Sequence, residues 1–274
     1  MGADALRRAV AALIAAGVPE PERDAQILLA EALQAPRHKL RDLLADPLPM
    51  QAAARLDSFL SARMARQPVS QIIGRRAFWK HDFEVTRDTL DPRPDTETLI
   101  EAALEGPFQR VLDLGTGTGA ILITLLAERS GTSGVGTDIS DAALQVAQRN
   151  ATRIGVDAVF RQADWFQGVD GQFDLIVSNP PYIALTEMEA LDPEVRDWEP
   201  RGALTDGGDG LGAYRVIAES AGAHMTDGGR LLFEIGAGQG RAVCDILAQA
   251  GFQSVEIRQD LNGRDRVITA KWCR

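Results

Sequence analysis

Val111-Leu112-Asp113-Leu114-Gly115-Thr116-Gly117-Thr118-Gly119-Ala120 is the stretch that decides the fold. A short apolar run enters a loop in which every second residue is glycine, and an apolar helical pattern, Ile121 to Glu128, follows at once. Glycines there let the backbone turn tightly and let a ligand approach the main chain. No Gly-Lys-Ser/Thr is present, so the loop is not a phosphate-binding P-loop. Gly115-x-Gly117-x-x-Ala120 also fits a dinucleotide fingerprint, with Asp138 closing the next strand where an acid holds a ribose. Asp113 tips the balance away from a dinucleotide. A carboxylate at the strand end suits a cationic ligand, such as one bearing a methionine ammonium and a sulfonium, and repels a pyrophosphate.

Downstream of Arg110, strands and helices alternate. The predicted strands are Val111–Leu114, Gly134–Asp138, Ala158–Gln162, Leu175–Ser178, Arg230–Ile235, Ser254–Arg258 and Arg266–Lys271, with helical patterns between them such as Ala142–Ile154 and Gly240–Ala250. That order predicts an α/β domain: a mostly parallel sheet with helices on both faces. The third strand ends in Asp164-Trp165.

Upstream, residues 1–71 read as helices only, with apolar residues three and four apart around Leu6–Ile14, Ala25–Leu33 and Leu56–Met64. Arg55, Arg63, Arg66, Arg75 and Arg76 give the later part a basic character, read first as a solvated face. Residues 72–90 hold short β-like pieces, Ala77–Trp79 and Phe83–Val85, and predict a β-hairpin linker. The third segment, 91–274, opens on Asp91-Pro92-Arg93-Pro94-Asp95-Thr96-Glu97, extended by its two prolines, with Asp95 or Thr96 expected to cap the helix of Leu99, Ile100 and Leu104.

The fourth strand runs into Ser178-Asn179-Pro180-Pro181-Tyr182. A bare proline-rich turn needs neither the Asn nor the Tyr. At the carboxyl edge of an open α/β sheet these residues face the ligand crevice. The chemistry they suit is alkylation of a planar nitrogen. An amide nitrogen is a poor nucleophile because its lone pair is delocalised, so a site must hold the NH2 with two acceptors and aim the lone pair at the electrophile. The Asn179 side-chain oxygen and the Pro180 carbonyl can supply them, and proline has no N–H, so this backbone presents mainly oxygen. Tyr182 can pack on the flat face of the acceptor. No ionised base is needed before attack, and catalysis is positioning at about 3–3.5 Å.

Bulk properties fit a globular protein. The chain has 274 residues, 45% hydrophobic and 25% charged. Two cysteines, Cys244 and Cys273, argue against a disulfide framework and for a cytoplasmic location. His38, His81 and His224 form no metal or triad pattern, and no metal is expected. No apolar run approaches the roughly 18–20 residues a bilayer requires, so no membrane association is expected. Leu6, Val10, Leu13 and Ile14 read as a helix rather than a signal peptide. Residues 1–90 hold 13 Lys/Arg against 11 Asp/Glu, the remainder 16 against 28. An acidic second half argues against tight duplex nucleic-acid binding.

The acid-x-Gly-x-Gly-x-Gly loop resembles that of class I (Rossmann-like) methyltransferases, whose sheet has seven strands. That resemblance implies S-adenosyl-L-methionine as cofactor and S-adenosyl-L-homocysteine as product. It implies that Asp138 takes the ribose hydroxyls, and that Asp164 and Trp165 form the adenine site. Asn-Pro-Pro-Tyr also occurs in DNA adenine and RNA guanine methyltransferases, which keeps amino-group methylation of a nucleobase open as an alternative. Beyond it, Pro92–Glu97, Glu199-Pro200-Arg201, Gly208-Asp209-Gly210-Leu211, Phe233-Glu234-Ile235-Gly236, Gln239-Gly240 and Asp260–Arg266 together resemble the release-factor glutamine methyltransferase (HemK/PrmC) family over nearly the whole chain.

This second resemblance implies N5-methylation of the glutamine in the Gly-Gly-Gln loop of bacterial class-1 peptide chain release factors. Asn179, Pro180 and Tyr182 would be catalytic. Pro181, Arg93, Pro94 and Thr96 would join them in holding substrate. Asp113, Gly115, Thr116, Gly117, Thr118, Gly119, Asp138, Asp164, Trp165 and Asn179 would line the cofactor site. The helical domain would dock the release factor, and the enzyme would act as a monomer with no nucleic-acid partner. Asp91 stands where the family pattern has an apolar residue.

Overall fold

The structure, a computed structural model, describes residues 1–273. Its chain separates into two compact units: Met1–Arg75 with Asp192–Trp198, and Arg76–Leu191 with Glu199–Arg274.

The smaller unit is helical: α1 (Gly2–Ala15), α2 (Pro21–Ala32), α3 (Leu40–Leu43), α4 (Met50–Met64) and α5 (Val69–Ile73). Ala9 and Leu13 of α1, Leu28 and Leu29 of α2 and Leu56 of α4 are buried together with their neighbours, as the three-four spacing requires. Arg63 corrects one expectation. It does not lie on a solvated face; it is 5% exposed, its guanidinium bonded to Asp24 (2.7 Å) and Glu194 (2.8 Å). Two carboxylates meeting one planar guanidinium make its burial tolerable. Arg66 also binds Glu194, and the Trp198 indole N–H donates to the Ala65 carbonyl. These bonds hold the far-off segment 192–198 in the unit.

In the larger unit, strands β1 (Arg75–Phe78) and β2 (His81–Glu84) make a hairpin. After α6 (Glu97–Leu104) come β3 (Arg110–Leu114), α7 (Ala120–Glu128), β4 (Ser133–Asp138), α8 (Asp141–Ile154), β5 (Val159–Gln162) and β6 (Phe173–Ser178). A short α9 (Pro193–Arg196) falls in the segment assigned to the smaller unit. Then follow α10 (Arg201–Leu204), α11 (Gly212–Ala221), β7 (Met225–Glu234), α12 (Gly240–Gln249), β8 (Gln253–Gln259) and β9 (Asp265–Lys271). The seven-stranded sheet has the order β5-β4-β3-β6-β7-β9-β8, parallel except for β9, which runs antiparallel to both neighbours.

Alternation along the strands fills two apolar layers. Leu112, Leu114, Ile176, Leu231 and Phe233 pack under α11 and α12. Val111, Leu175, Val177 and Leu232 pack under α6 and α7, where hairpin residues Phe78 and Phe83 also reach. Helix α7 is buried nearly all round, so its amphipathic signal is weak even though its helix is the most enclosed.

One buried side chain ties these parts together. Asn150 of α8 accepts the Glu84 amide (2.7 Å) and donates to the carbonyls of Glu84 (3.1 Å) and Thr118 (2.9 Å). The hairpin is thereby fastened to the glycine loop. Replacing Asn150 by Leu strands one buried backbone group, the Thr118 carbonyl, at about 1–3 kcal/mol, and two part-buried groups of Glu84 that water partly compensates. The expected loss is about 2–4 kcal/mol of unfolding free energy by urea denaturation. A loss below about 0.5 kcal/mol, the level of an ordinary surface change, would show that water replaces the side chain at no cost.

Candidate active site at the carboxyl edge of the sheet

Strands β5, β4, β3, β6 and β7 are consecutive neighbours and end on one edge. Along that edge stand, in order, Asp164-Trp165, Asp138, the loop Asp113–Gly119, the loop Asn179–Tyr182 and Glu234. The order reverses between β3 and β6, the switch point where open α/β sheets bind ligands. There Leu114 pairs with Ser178, and the buried Ser178 hydroxyl donates to the Leu114 carbonyl at 2.7 Å.

The glycine loop uses its glycines. Gly115, Gly117 and Gly119 have φ of +71°, +54° and +78°, in the left-handed region. At Gly119 a Cβ would also lie 2.7 Å from Ile123 Cδ1 and 3.2 Å from Ala147 Cβ, so α7 and α8 close on this point. The Thr116 amide donates to the Thr137 carbonyl (2.8 Å), joining the loop to β4. Thr118 is buried, and its carbonyl takes the Asn150 bond.

Asp113 is fully buried. Its Oδ2 accepts the Thr116 hydroxyl at 2.6 Å, and its Oδ1 has no hydrogen-bond partner. Burial pushes its carboxyl up to about 7, against the Thr116 hydroxyl and the nearby Leu122 amide, which favour the ionised form. Asp138 is partly exposed and accepts the amides of Gly117 (3.0 Å) and Ser140 (2.9 Å); burial raises its pKa as well. Asp164 is exposed. Trp165 is half-buried against the α11–α12 layer with φ +52°, so its ring serves the core at the same time as it borders the edge.

The loop after β6 is held at both ends. Beyond the Ser178 anchor, Pro180 is buried and Asn179 and Pro181 are half-buried. Among the described residues none hydrogen-bonds the Asn179 side chain. At the far end the Tyr182 carbonyl accepts Gln239 Nε2 at 2.8 Å, and the Ile183 amide donates to Leu204 (2.9 Å). Burial raises the Tyr182 phenol to about 12, so it stays neutral.

The segment before α6 departs from its sequence reading. Thr96 stands at the N-cap of α6, yet makes no side-chain cap. Its hydroxyl goes instead to Glu234, a wholly buried carboxyl that burial raises to about 7. Neither does Asp95 cap the helix; it pairs with Arg266 at 3.0 Å. A buried acid and a buried guanidinium draw these groups away from the helix end, and even so Glu234 Oε2 and Arg266 Nε keep no hydrogen-bond partner among the described residues. Arg93 donates to both Glu199 oxygens at 2.7 Å, while Pro94 is exposed. Glu199 is pushed to about 7 by burial, against the pull of Arg93, with Asp91 adding to the rise. The Asp91 position is therefore polar and buried, inside a carboxyl–guanidinium cluster.

Gln239, Glu234 and Asn150 are site-building residues to which sequence reading gave no role. Gln239 and Glu234 lay in quoted motifs, and Asn150 sat in a helical pattern like any surface polar residue.

Comparison with known proteins adds identity. Residues 4–74 match the family model "PrmC N-terminal domain", and residues 86–192 match "Methyltransferase small domain". A release factor glutamine methyltransferase of Cereibacter sphaeroides is 58% identical over 271 residues, covering 98% of each chain. One of Rhodospirillum rubrum is 46% identical, covering 93% of this chain and 80% of its own. Among solved structures, a methyltransferase from Pyrococcus furiosus is similar with a TM-score of 0.57 and 17% identity, covering 72% of this chain and 92% of its own; it shares the fold.

The raised pKa of Asp113 has a measurable sign. The folded carboxyl holds its proton to about pH 7, the unfolded one only to about 3.8. Between these values the folded state binds more protons, so this group makes stability fall as pH rises from 4 to 7. Asp113→Asn removes that dependence. Relative to the parent, the variant should gain stability across this window, by up to about 4 kcal/mol at 1.36 kcal/mol per pKa unit. Urea denaturation at several pH values checks it; a pH-independent difference would mean that Asp113 ionises normally.

Proposed function

Since this chain belongs to the family of release factor glutamine methyltransferases, we propose that it transfers a methyl group from S-adenosyl-L-methionine to the side-chain amide nitrogen (N5) of a release-factor glutamine. The proposed acceptor is the Gly-Gly-Gln motif. The single observation that carries this reading is the loop Asn179–Tyr182, pinned at both ends, with the Asn179 side chain left available beside the glycine loop.

The residues fit the cofactor. A buried carboxylate oxygen of Asp113 without a partner suits a cation, and the left-handed Gly115 and Gly117, whose Cβ positions meet open space, leave the main chain open to a ligand. Gly115, Thr116, Gly117, Thr118 and Gly119 would hold its backbone side, Asp138 the ribose, and Asp164 and Trp165 the adenine. When bound, it supplies a methyl carbon made electrophilic by the sulfonium.

The chain's own part is to orient. Asn179 Oδ1 and the Pro180 carbonyl would accept the two N–H groups of the acceptor amide, fixing the amide plane so that the nitrogen lone pair, perpendicular to it, faces the methyl. Tyr182, neutral at every working pH, would lie against the amide. Pro181 keeps the turn rigid. After transfer the alkylated nitrogen is acidic, and its proton leaves to solvent without a dedicated base. Arg93, Pro94 and Thr96 would border the acceptor. Arg93 is already committed to Glu199 and Thr96 to Glu234, so they would serve through the shape of the segment. The helical unit would contact the body of the release factor. We place the enzyme in the cytoplasm as a monomer; no helix among the described residues is long and apolar enough to cross a membrane.

With labelled cofactor, a release factor, its Gln→Ala loop variant and duplex DNA, label should appear on the loop glutamine alone. Asn179→Ala should lower kcat by about 100-fold or more, the scale for losing one preorganised polar contact to the reacting group. Label on DNA adenine would replace this reading with nucleobase methylation.

Cofactor binding should also be pH-linked. A cation beside Asp113 favours its ionised form, so binding near pH 7 releases a proton. Affinity should rise between pH 6 and pH 8, with a calorimetric enthalpy that varies with the buffer's own ionisation heat. In Asp113→Asn the pH trend should vanish; a trend that survived would locate the linked proton elsewhere.

A further inference from the structure

We propose that Gln239 is a positioning residue for methyl transfer, setting the acceptor loop through the Tyr182 carbonyl without touching substrate. This rests on the reading of Asn179–Tyr182 as the holder of the acceptor amide.

Gln239 stands at the N-cap of α12, on a different element from either loop it serves. Its Nε2 donates to the Tyr182 carbonyl (2.8 Å) and to the Gly210 carbonyl (3.1 Å). Its Oε1 accepts the Gly236 amide at 3.0 Å, with the Tyr214 hydroxyl 3.4 Å away. Both amide hydrogens and the oxygen are thus used, and a flipped amide would set oxygen against two carbonyls. Only a carboxamide of this length both donates twice and accepts there.

The approach it bridges is close. Gly210 has φ +75°, and a Cβ on it would clash with the Tyr182 carbonyl oxygen. The Gly210 loop is itself rigid: Asp206 accepts the amides of Gly208 (2.8 Å), Gly210 (3.1 Å) and Gly212 (2.7 Å). Two carbonyls therefore converge on one NH2, and without it each faces the other's partial negative charge. Displacement at Tyr182 cannot be absorbed within the loop, because Pro180 and Pro181 lock φ at successive positions. It passes to the Pro180 carbonyl and Asn179, where misplacement by about 1 Å costs on the order of 100-fold in rate.

The test compares full-length Gln239→Glu and Gln239→Leu with the parent. Glutamate keeps the acceptor for Gly236 but cannot donate when ionised; leucine keeps bulk only. Both should lower kcat on the release factor by about 10- to 100-fold, with KM for the release factor changed less than kcat. The dissociation constant for S-adenosyl-L-methionine should stay within about 2-fold, since the glycine loop is untouched. Amide hydrogen exchange should quicken at Asn179, Tyr182, Ile183 and Ala184. A kcat loss below about 3-fold, or a loss that tracks weakened cofactor binding and thermal melting in both variants, would overturn the proposal. If the parent itself leaves the release factor unmethylated, the functional reading fails. The exchange measurement then decides the tie alone: faster exchange in the variants upholds it, and unchanged exchange overturns it.

Discussion

The pairing of Leu114 with Ser178 is the constraint on which the rest of the site depends. It joins the two strands at which the sheet reverses its winding order, so the loops leaving them diverge to opposite sides and open a crevice. The Ser178 hydroxyl bonded to the Leu114 carbonyl fixes the crevice at its root. A slip of one residue between β3 and β6 would turn Asp113 and Leu114 to the wrong faces. It would also part the glycine loop from Asn179. Every later feature, from the left-handed glycines to the Tyr182–Gln239 bond, adjusts loops whose relative place this register has set.

Electrostatics at the edge follow from the same geometry. Three carboxyls, Asp113 and Glu234 on strands and Glu199 in the loop before α10, are buried and pushed to about 7. In each the largest cause is desolvation, opposed by a hydroxyl or guanidinium. A fold optimised only for stability would not keep three such acids, because each makes neutral pH less favourable than acid. Two of them have a clear structural service: Glu199 seats Arg93 beside Pro92 and Pro94, and Glu234 takes the Thr96 hydroxyl. The chain thus shapes the segment before α6 from buried polar pairs.

Much of this was legible in the sequence. The alternating strands gave a mostly parallel seven-stranded sheet because buried parallel strands are short apolar runs bounded by turns. Asp113–Gly119 and Asn179–Tyr182 were legible because glycine and proline constrain the backbone locally, and local constraint is written in adjacent letters. What escaped was long-range. Asn150 reads as one more polar residue in an amphipathic helix, yet it holds backbone groups 32 and 66 residues away. The return of 192–198 to the helical unit hangs on Glu194, whose partners Arg63 and Arg66 lie about 130 residues earlier. Thr96 carried a sound capping signal and lost to Glu234, a competitor that no local pattern reveals.

The same distinction explains how the site works. Alkylating an amide calls for little acid–base chemistry, because no proton need leave before the bond forms. The groups proposed to touch the acceptor are accordingly a carboxamide, a backbone carbonyl and a phenol that burial keeps neutral. Such groups gain nothing from tuned ionisation; they act only through where they point. Pointing is a property of backbone, and the backbone here is fixed by two prolines, a serine anchor at one end and a glutamine bridge at the other. On the proposed reading, the catalytic demand is spread over residues that do not meet the substrate. That is why a four-residue motif is readable on its own, while the side chains that make it rigid are found only when the strands are brought together.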